Sequence, residues 1–331
     1  MEESESLPES KKIRLETLRL KLNKNITFAD GGRQDLKSRF ALTLEMKVSE
    51  ILKSAAKTLQ TGGVAEAVRE AKSLLAYALN VNQTFLIAHS EYKLSAAEEK
   101  RFQDFLTRRA RREPFQYIVG KQEFYNLDFA VTPDVLIPRP ETELLVAAAI
   151  EILKNDARFC EVGIGSGCVS VSILHSIKTA SAIGLDISEE ALKVARENAE
   201  THQVAERLEL KISDVFENLP FEKFDLIVSN PPYIPREDVK TLQPEVGGYE
   251  PLNALTDGGD GLSIVKRIVD DAPKFLKPNG VLLIEIGFNQ ADEVSAMFDE
   301  NLWRSVEILP DLHKIPRTVK AQIGRRFEFK L

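Results

Sequence analysis

From Val48 to about Arg112 the apolar positions recur at helical spacing, through Val48, Ile51, Leu52 and Ala55, then Val68, Ala71, Leu74, Leu75 and Ala78. A stripe of that period is what a helix needs to bury one face. Thr84–His89 and Ser95–Arg112 continue the pattern, and Ser95 followed by Glu98 predicts a capping box. These segments read as a small helical domain. Arg108, Arg109, Arg111 and Arg112 close its last helix. Cations near a helix C-terminus are expected to be solvated there, with a partner-binding patch as the alternative. Between 114 and 140 the period shifts towards two, with Phe124, Leu127, Phe129 and Val131 set around Asn126 at a turn. That predicts a β-hairpin linker. In the run Ile137-Pro138-Arg139-Pro140-Glu141-Thr142-Glu143, Pro140 suits the start of a helix through Leu144–Leu153.

After Arg158 strands and helices alternate strictly. Strands are predicted at Phe159–Val162, Ala182–Asp186, Leu208–Ile212, Phe224–Ser229 and Val281–Ile286. Helices are predicted near 167–177, 189–201, 261–276 and 289–300. This is the signature of an α/β fold with a doubly wound, mostly parallel sheet. A closing strand, Gln322–Lys330, is expected to pair antiparallel at an edge. Residues 234–260 form a long connection rich in Pro, Gly and acidic side chains; loops of that length are usually functional or disordered. Residues 1–45 are highly charged with mixed signs, Gly31-Gly32 interrupts them, and some helix is expected around Lys11–Leu22. They read as a poorly ordered extension, with Met46 as an alternative start. The divisions are therefore 1–45, a helical domain 46–113, a hairpin linker 114–140 and an α/β domain 141–331.

Composition narrows the class. Of 331 residues, 43% are hydrophobic and 29% charged, as in an ordinary globular protein. The net charge of −7 argues against broad duplex binding, which depends on neutralising phosphates. Cys160 and Cys168 have neither metal-type spacing nor a disulfide framework. His89, His175, His202 and His313 are scattered, so no metal site and no nucleophile–base pair is expected. No apolar run approaches the ~20 residues of a membrane span. Glu2, Glu3, Glu5 and Glu9 speak against a secretory signal, so a cytoplasmic protein is expected.

The strongest chemical signal is Asn230-Pro231-Pro232-Tyr233, directly after the predicted strand Phe224–Ser229. Carboxyl ends of parallel strands face the ligand crevice of such sheets. Two prolines fix φ near ~−65° and remove two backbone donors, leaving Asn230 and nearby carbonyls as an acceptor-rich cluster. Such a cluster can hold an NH2 group, and Tyr233 adds a flat face for a planar partner. The blander alternative is a proline-rich turn with a capping Asn.

Glu161-Val162-Gly163-Ile164-Gly165-Ser166-Gly167 lies at the first strand-to-helix turn. Glycines there allow close backbone approach to a ligand at a helix N-terminus. The spacing is not the dinucleotide fingerprint, because Cys168 stands where the last glycine would fall. Asp186 ends the second strand, where a carboxylate can accept both hydrogen bonds of a ribose diol. Asp214, after the third strand, can accept a donor from a purine, or close an Asx-turn. Three sites at successive strand ends imply one crevice for an adenosyl amino acid.

With the alternating glycines, Asp186, Asp214 and the tetrapeptide, the chain resembles a class I S-adenosylmethionine-dependent methyltransferase of the amino-methylating kind. The helical N-terminal domain, Ile137–Glu143 and Tyr249-Glu250-Pro251 narrow the resemblance to the HemK/PrmC-type release factor glutamine methyltransferase family, over roughly 46–331. That family commonly has Asp where Glu161 stands, and residues 1–45 have no counterpart in its usual extent. The resemblance implies S-adenosylmethionine as cofactor, held by Glu161, Gly163, Ile164, Gly165, Ser166, Gly167, Asp186, Asp214, Val215 and Asn230. It implies Asn230, Pro231, Pro232 and Tyr233 as catalytic and substrate-binding residues, with Glu250 and Pro251 shaping a glutamine pocket. The partners implied are peptide chain release factors, docked by the helical domain of a monomeric enzyme. No specific nucleic-acid or membrane partner is expected. The alternative is a nucleic-acid adenine-N6 amino methyltransferase, since such enzymes share the tetrapeptide. That alternative calls for a basic face and a recognition domain, which the acidic chain and its small helical domain do not suggest.

Overall fold

The structure is a computed structural model that describes residues 47–324. The expected extension 1–45, its helix Lys11–Leu22, Met46 and the end of the expected closing strand lie outside the described residues.

Four helices, α1 (Val48–Thr61), α2 (Ala67–Leu79), α3 (Gln83–Ala88) and α4 (Ala96–Ala110), build a separate hydrophobic core. Val48, Ile51, Ala55, Ala71, Leu74, Leu75 and Ala78 are buried in it, as helical spacing predicts, whereas Val68 is exposed. Ser95 caps α4 through the reciprocal bond with Glu98. A short helix α5 (Phe115–Val119) follows, although its aromatic and β-branched composition reads as strand. Strands β1 (Lys121–Phe124) and β2 (Leu127–Ala130) form the linker hairpin. Its turn residues Tyr125 and Asn126 both have positive φ, the type I′ geometry that matches strand twist.

The main sheet contains β3 (Arg158–Val162), β4 (Ser181–Asp186), β5 (Leu208–Ile212), β6 (Phe224–Ser229), β7 (Leu276–Glu285), β8 (Trp303–Pro310) and β9 (Pro316–Ile323). Their order is β5-β4-β3-β6-β7-β9-β8, parallel from β5 to β7. Strands β8 and β9 form an antiparallel hairpin whose inner member pairs with β7. The closing strand therefore begins earlier than Gln322 and lies inside the sheet, and the edge is β8, which the sequence reading missed. Helix α6 (Glu143–Ile152) leads into β3, and α7 (Cys168–Ser176), α8 (Glu189–Thr201) and α11 (Ser263–Asp271) connect the parallel strands, with one-turn helices α9 (Pro244–Gly247) and α10 (Leu252–Leu255) in the long connection. The helix expected over 289–300 is only α12 (Ala291–Ser295).

The sheet buries both faces. Phe159, Leu226, Val228 and Leu283 enter one core, and Cys160, Val162, Ile227, Leu282 and Ile284 the other. That division is the period-two consequence of a strand covered on both sides. The order reverses between β3 and β6. Their carboxyl ends diverge into connections on opposite sides, which opens a crevice at that point. The glycine turn after β3 and the tetrapeptide after β6 both sit there.

Of the arginines closing α4, Arg111 is exposed as expected, but Arg108, Arg109 and Arg112 are held by carboxylates. Arg109 is buried, bonded to Glu70 and, at 2.9 Å, to Glu245 in α9. Arg112 reaches Glu245 at 2.6 Å and the Gly63 carbonyl at 2.9 Å. Arg108 pairs with Glu113. The cluster ties the helical domain to the 234–260 connection, and the Tyr249 hydroxyl adds a bond to the Arg111 carbonyl. Burial opposes ionisation of Glu245, but the bonds from Arg112 and Arg109 outweigh it and hold its pKa at about 2. Because this pKa is depressed below an unfolded carboxylate's, the stabilisation is complete above about pH 4.5 and is lost as the pH falls towards 2. We expect Glu245→Gln to cost about 1.5–3 kcal/mol at pH 7, the range for bonds to charged groups. In urea unfolding across pH, the gap from wild type should narrow only below about pH 4.5. A gap that stays constant down to pH 3 would remove the charge from this role.

Candidate active site

Each wall of the crevice is the end of a strand. After β3 the backbone N–H groups of Gly163 and Ile164 bond to the Leu185 carbonyl, which fixes the turn against β4. Gly163 and Gly165 have φ of 73° and 54°, and a Cβ on either would meet nothing within 4 Å. They are needed for left-handed backbone, and the space above them is open. Gly167 differs. It starts α7 at φ 80°, and a Cβ there would come within 3.3 Å of Ala195, so this glycine serves helix packing. Buried Asn198 of α8 donates to the Ser166 carbonyl at 2.8 Å and pairs with Ala130, joining the glycine turn to the hairpin.

These ends enclose a cavity of about 350 Å³. Among the expected residues, Glu161, Gly163, Ile164, Gly165, Ser166, Asp186, Asp214, Val215, Asn230, Pro232 and Pro251 line it; Gly167, Pro231, Tyr233 and Glu250 do not. Asp186 accepts from Gly165 N–H and Ser188 N–H, both at 2.9 Å, and burial raises its pKa against those donors. Helix α8 is capped by Ser188, whose hydroxyl oxygen accepts from Ala191 N–H, so that duty does not fall on Asp186. Each Asp186 oxygen keeps a free acceptor site. Asp214 is held by Arg267 at 2.8 Å, a cavity residue that sequence reading missed. Val215 stands at φ 51°, and a β-branched residue in left-handed backbone marks strain of the kind found at ligand clamps. Ile187 lines the cavity while 61% exposed, an apolar face turned to open space.

Glu161 is buried and turned to α7, where it accepts from Ser170 N–H at 2.9 Å. Burial pushes its carboxyl up to about 8. Glu250 is also buried. It binds Arg139 at 2.6 Å and receives Ile137 N–H, bracing the 234–260 connection against the segment before α6. That connection supplies Pro251, Asn253, Ala254, Thr256 and Asp257 to the cavity.

Pro231 is buried and Asn230 half-buried. The Asn230 Nδ2 donates to Thr142 Oγ1 at 3.1 Å, and the Tyr233 hydroxyl donates to Glu285 Oε1 at 3.2 Å. The Tyr233 carbonyl accepts from Gln290 at 2.9 Å. Gly261, at φ 82°, passes so close that a Cβ would lie 2.2 Å from that carbonyl oxygen. The turn is thus held from several sides. Thr142, Glu285, Gln290 and Gly261 were not legible as site residues.

The comparisons bear on these same regions. Residues 50–120 match the model of the PrmC N-terminal domain, and residues 153–310 that of a methyltransferase domain. The release factor glutamine methyltransferase of Geobacter sulfurreducens is 41% identical over 262 residues, spanning 79% of this chain and 92% of its own. The chain belongs to the release factor glutamine methyltransferase family. Its membership extends over nearly full-length relatives: those of Cereibacter sphaeroides and Koribacter versatilis, with the same name, are 41% and 37% identical and each covered over 99%. The α/β domain is accordingly a class I methyltransferase fold. Among the described residues, no helix is long and apolar enough to cross a membrane.

The cavity suits the cofactor of such a fold. S-adenosylmethionine needs a close-approach backbone for its amino-acid end, a diol acceptor and a face for its purine. Gly163–Ser166, Asp186, and Asp214, Val215 and Ile187 line one cavity with features of these kinds.

Proposed function

We propose that this chain transfers a methyl group from S-adenosylmethionine to the side-chain amide nitrogen of a glutamine in peptide chain release factors. The observation that carries the site assignment is Asn230, half-buried at the cavity with its NH2 already engaged by Thr142. Its oxygen is then the end available to an incoming amide.

S-adenosylmethionine, when bound, supplies an electrophilic methyl group on a sulfonium. The residues of the chain solve the other half of the problem. A carboxamide nitrogen is a poor nucleophile because its lone pair is delocalised into the carbonyl, and full deprotonation near neutral pH is prohibitive. The Asn230 oxygen and the Pro231 carbonyl accept the two N–H bonds of the glutamine amide. That orients its nitrogen and favours positive charge developing on it. Tyr233 offers its ring to the flat amide. Positioning of this kind is worth up to ~7–11 kcal/mol, so orientation can carry much of the acceleration. The 234–260 connection closes the pocket through Pro251, and Glu250 holds that connection in place.

The helical domain is the proposed docking face for the release factor, and the Arg109–Glu245–Arg112 link joins it to the connection that borders the cavity. The working unit is proposed to be a monomer in the cytoplasm, where translation ends; light scattering of the purified protein tests the first point. The substrate is tested by incubation with labelled S-adenosylmethionine and purified release factor, its Gln→Ala mutant, or DNA. Label on the wild-type factor alone is expected. Label on DNA, or equally on the mutant factor, would overturn the substrate.

A further inference from the structure

Charge is divided unevenly along the chain. Residues 47–113 carry 12 Lys and Arg against 8 Asp and Glu, a net +4, while residues 114–331 carry 23 against 35, a net −12. A basic lobe on an acidic protein is a pattern that points to a partner of opposite charge. The ion pairs sharpen it. Of the carboxylates in the lobe, Glu66, Glu70, Glu91 and Glu113 are paired with Arg69, Arg109, Lys47 and Arg108. Glu50 and Glu98 close the capping boxes of α1 and α4. Lys53 and Lys57 of α1, Lys72 of α2, Lys100 of α4 and Arg111 are exposed. Among the described residues, none of these five side chains has an ion-pair or hydrogen-bond partner.

Lys53 and Lys57 lie one turn apart on the solvent side of α1, whose buried positions are Val48, Ile51, Ala55 and Leu59. No Asp or Glu occurs from Ile51 to Ala65, and Glu50 is turned back on the Lys47 N–H. The last turn of α1 abuts that of α4. A Cβ on Gly62 would come 2.6 Å from the Ala110 carbonyl oxygen, and the Gly63 carbonyl accepts from Arg112 at 2.9 Å. Arg111 stands at this junction. Its carbonyl takes the Tyr249 hydroxyl at 2.7 Å, and Tyr249 is followed closely by the cavity residue Pro251. The basic lobe thus meets the connection that borders the pocket.

Resting on the substrate reading given above, we infer that the exposed lysines of α1 steer and dock the acceptor protein through an acidic patch set apart from its glutamine. A nucleic acid is the poorer match. A phosphate backbone reaching from α1 to the pocket would run onto the acidic domain that forms the pocket, where like charge repels it. A folded protein can present carboxylates to the lobe and uncharged groups to the pocket. Charge complementarity of this kind acts on encounter more than on the bound state, so its effect belongs in kcat/KM and not in kcat.

The test is steady-state methylation of release factor by the full chain at about 0.1 M and about 1 M salt, between which the Debye length falls from about 10 Å to about 3 Å. Lys53→Glu with Lys57→Glu should lower kcat/KM about tenfold at the lower salt, with kcat within about twofold of wild type. Lys53→Gln with Lys57→Gln, which removes the charge without reversing it, should lower kcat/KM about threefold. At the higher salt both gaps should close to about twofold or less. Lys154 and Lys178 are exposed just before β3 and β4, at the sheet edge opposite the pocket. Changing both to Glu alters the net charge equally and should cost less than about twofold. Melting midpoint and cofactor affinity should match wild type throughout, because all the altered side chains are exposed. An unchanged kcat/KM in the α1 variants, a gap that persists at the higher salt, or an equal loss from the Lys154 and Lys178 changes would overturn the docking role. A fluorescent single-stranded RNA that binds the wild type at the lower salt and competes with release factor would also overturn it, by making nucleic acid the occupant. Wild-type enzyme that leaves release factor unlabelled overturns the substrate reading itself; labelled factor with indifferent lysines overturns only the docking.

Discussion

Asn230→Ala should abolish methyl transfer while cofactor affinity drops only modestly. The asparagine lines the cavity together with the glycine turn, Asp186 and Asp214, which are the residues proposed to hold the cofactor. What Ala removes is the side-chain acceptor proposed to meet the amide. Deleting a single preorganised group that meets developing charge costs about 10²–10³ in rate, and here the same group also orients a weak nucleophile. A loss of ~10³ or more in single-turnover rate is therefore expected, with cofactor affinity changed by only a few-fold. The backbone of the turn should survive the change, because Gln290, Gly261 and the buried Pro231 hold it without the Asn230 side chain. Retained turnover would remove Asn230 from this role. A loss of cofactor affinity as large as the loss of rate would move it to the cofactor site.

Much of the sheet is legible in sequence for a simple reason. Parallel strands covered on both faces are nearly apolar throughout, so Phe224–Ser229 is bounded by its own composition, while the edge strand Leu208–Ile212 shows as an alternation of apolar residues with Glu209 and Lys211. The hairpin β8–β9 obeys no such rule. Trp303 is buried but Arg304, Ser305, Val306 and Glu307 are exposed, and an outer strand with one wet face leaves little periodicity to read. Helix α5 fails for the opposite reason, since Phe-Gln-Tyr-Ile-Val carries strand propensity that packing overrides.

The site divides along the same line. Glycine spacing, Asp186 and the tetrapeptide are local patterns with a backbone reason to exist, and they can be found residue by residue. Thr142, Glu285, Gln290 and Gly261 act only because the sheet order brings the ends of β6 and β7 beside the turn before α6. The arginines of α4 show how a local rule misleads: cations at a helix C-terminus look solvated until Glu245, 136 and 133 residues from Arg109 and Arg112, folds against them. Charge pairs of that separation leave no periodic trace, and their burial depends on a contact between the helical domain and the long connection.

Asp186→Ala should act on the cofactor first. Its carboxylate already accepts Gly165 N–H and Ser188 N–H, and each oxygen has one further acceptor site for a hydroxyl of the ribose diol. Hydrogen bonds to a charged acceptor contribute about 1.5–3 kcal/mol each, so losing two weakens binding by about a hundredfold or more. The change also releases Gly165, whose N–H it fixes, and that loosens the turn proposed for the amino-acid end of the cofactor. The rate at saturating cofactor should recover much more than in Asn230→Ala, because nothing that touches the acceptor amide has changed. The pH dependence has a definite sign. Burial raises the Asp186 pKa against its backbone donors, so on acidification the empty site protonates at a higher pH than an exposed aspartate would. Diol donors favour the ionised form and pull the pKa back down. Cofactor affinity should therefore weaken as pH falls in the wild type, and Asp186→Ala should flatten that slope. Unchanged affinity by calorimetry would take Asp186 out of the ribose role and leave it as the anchor of Gly165 alone.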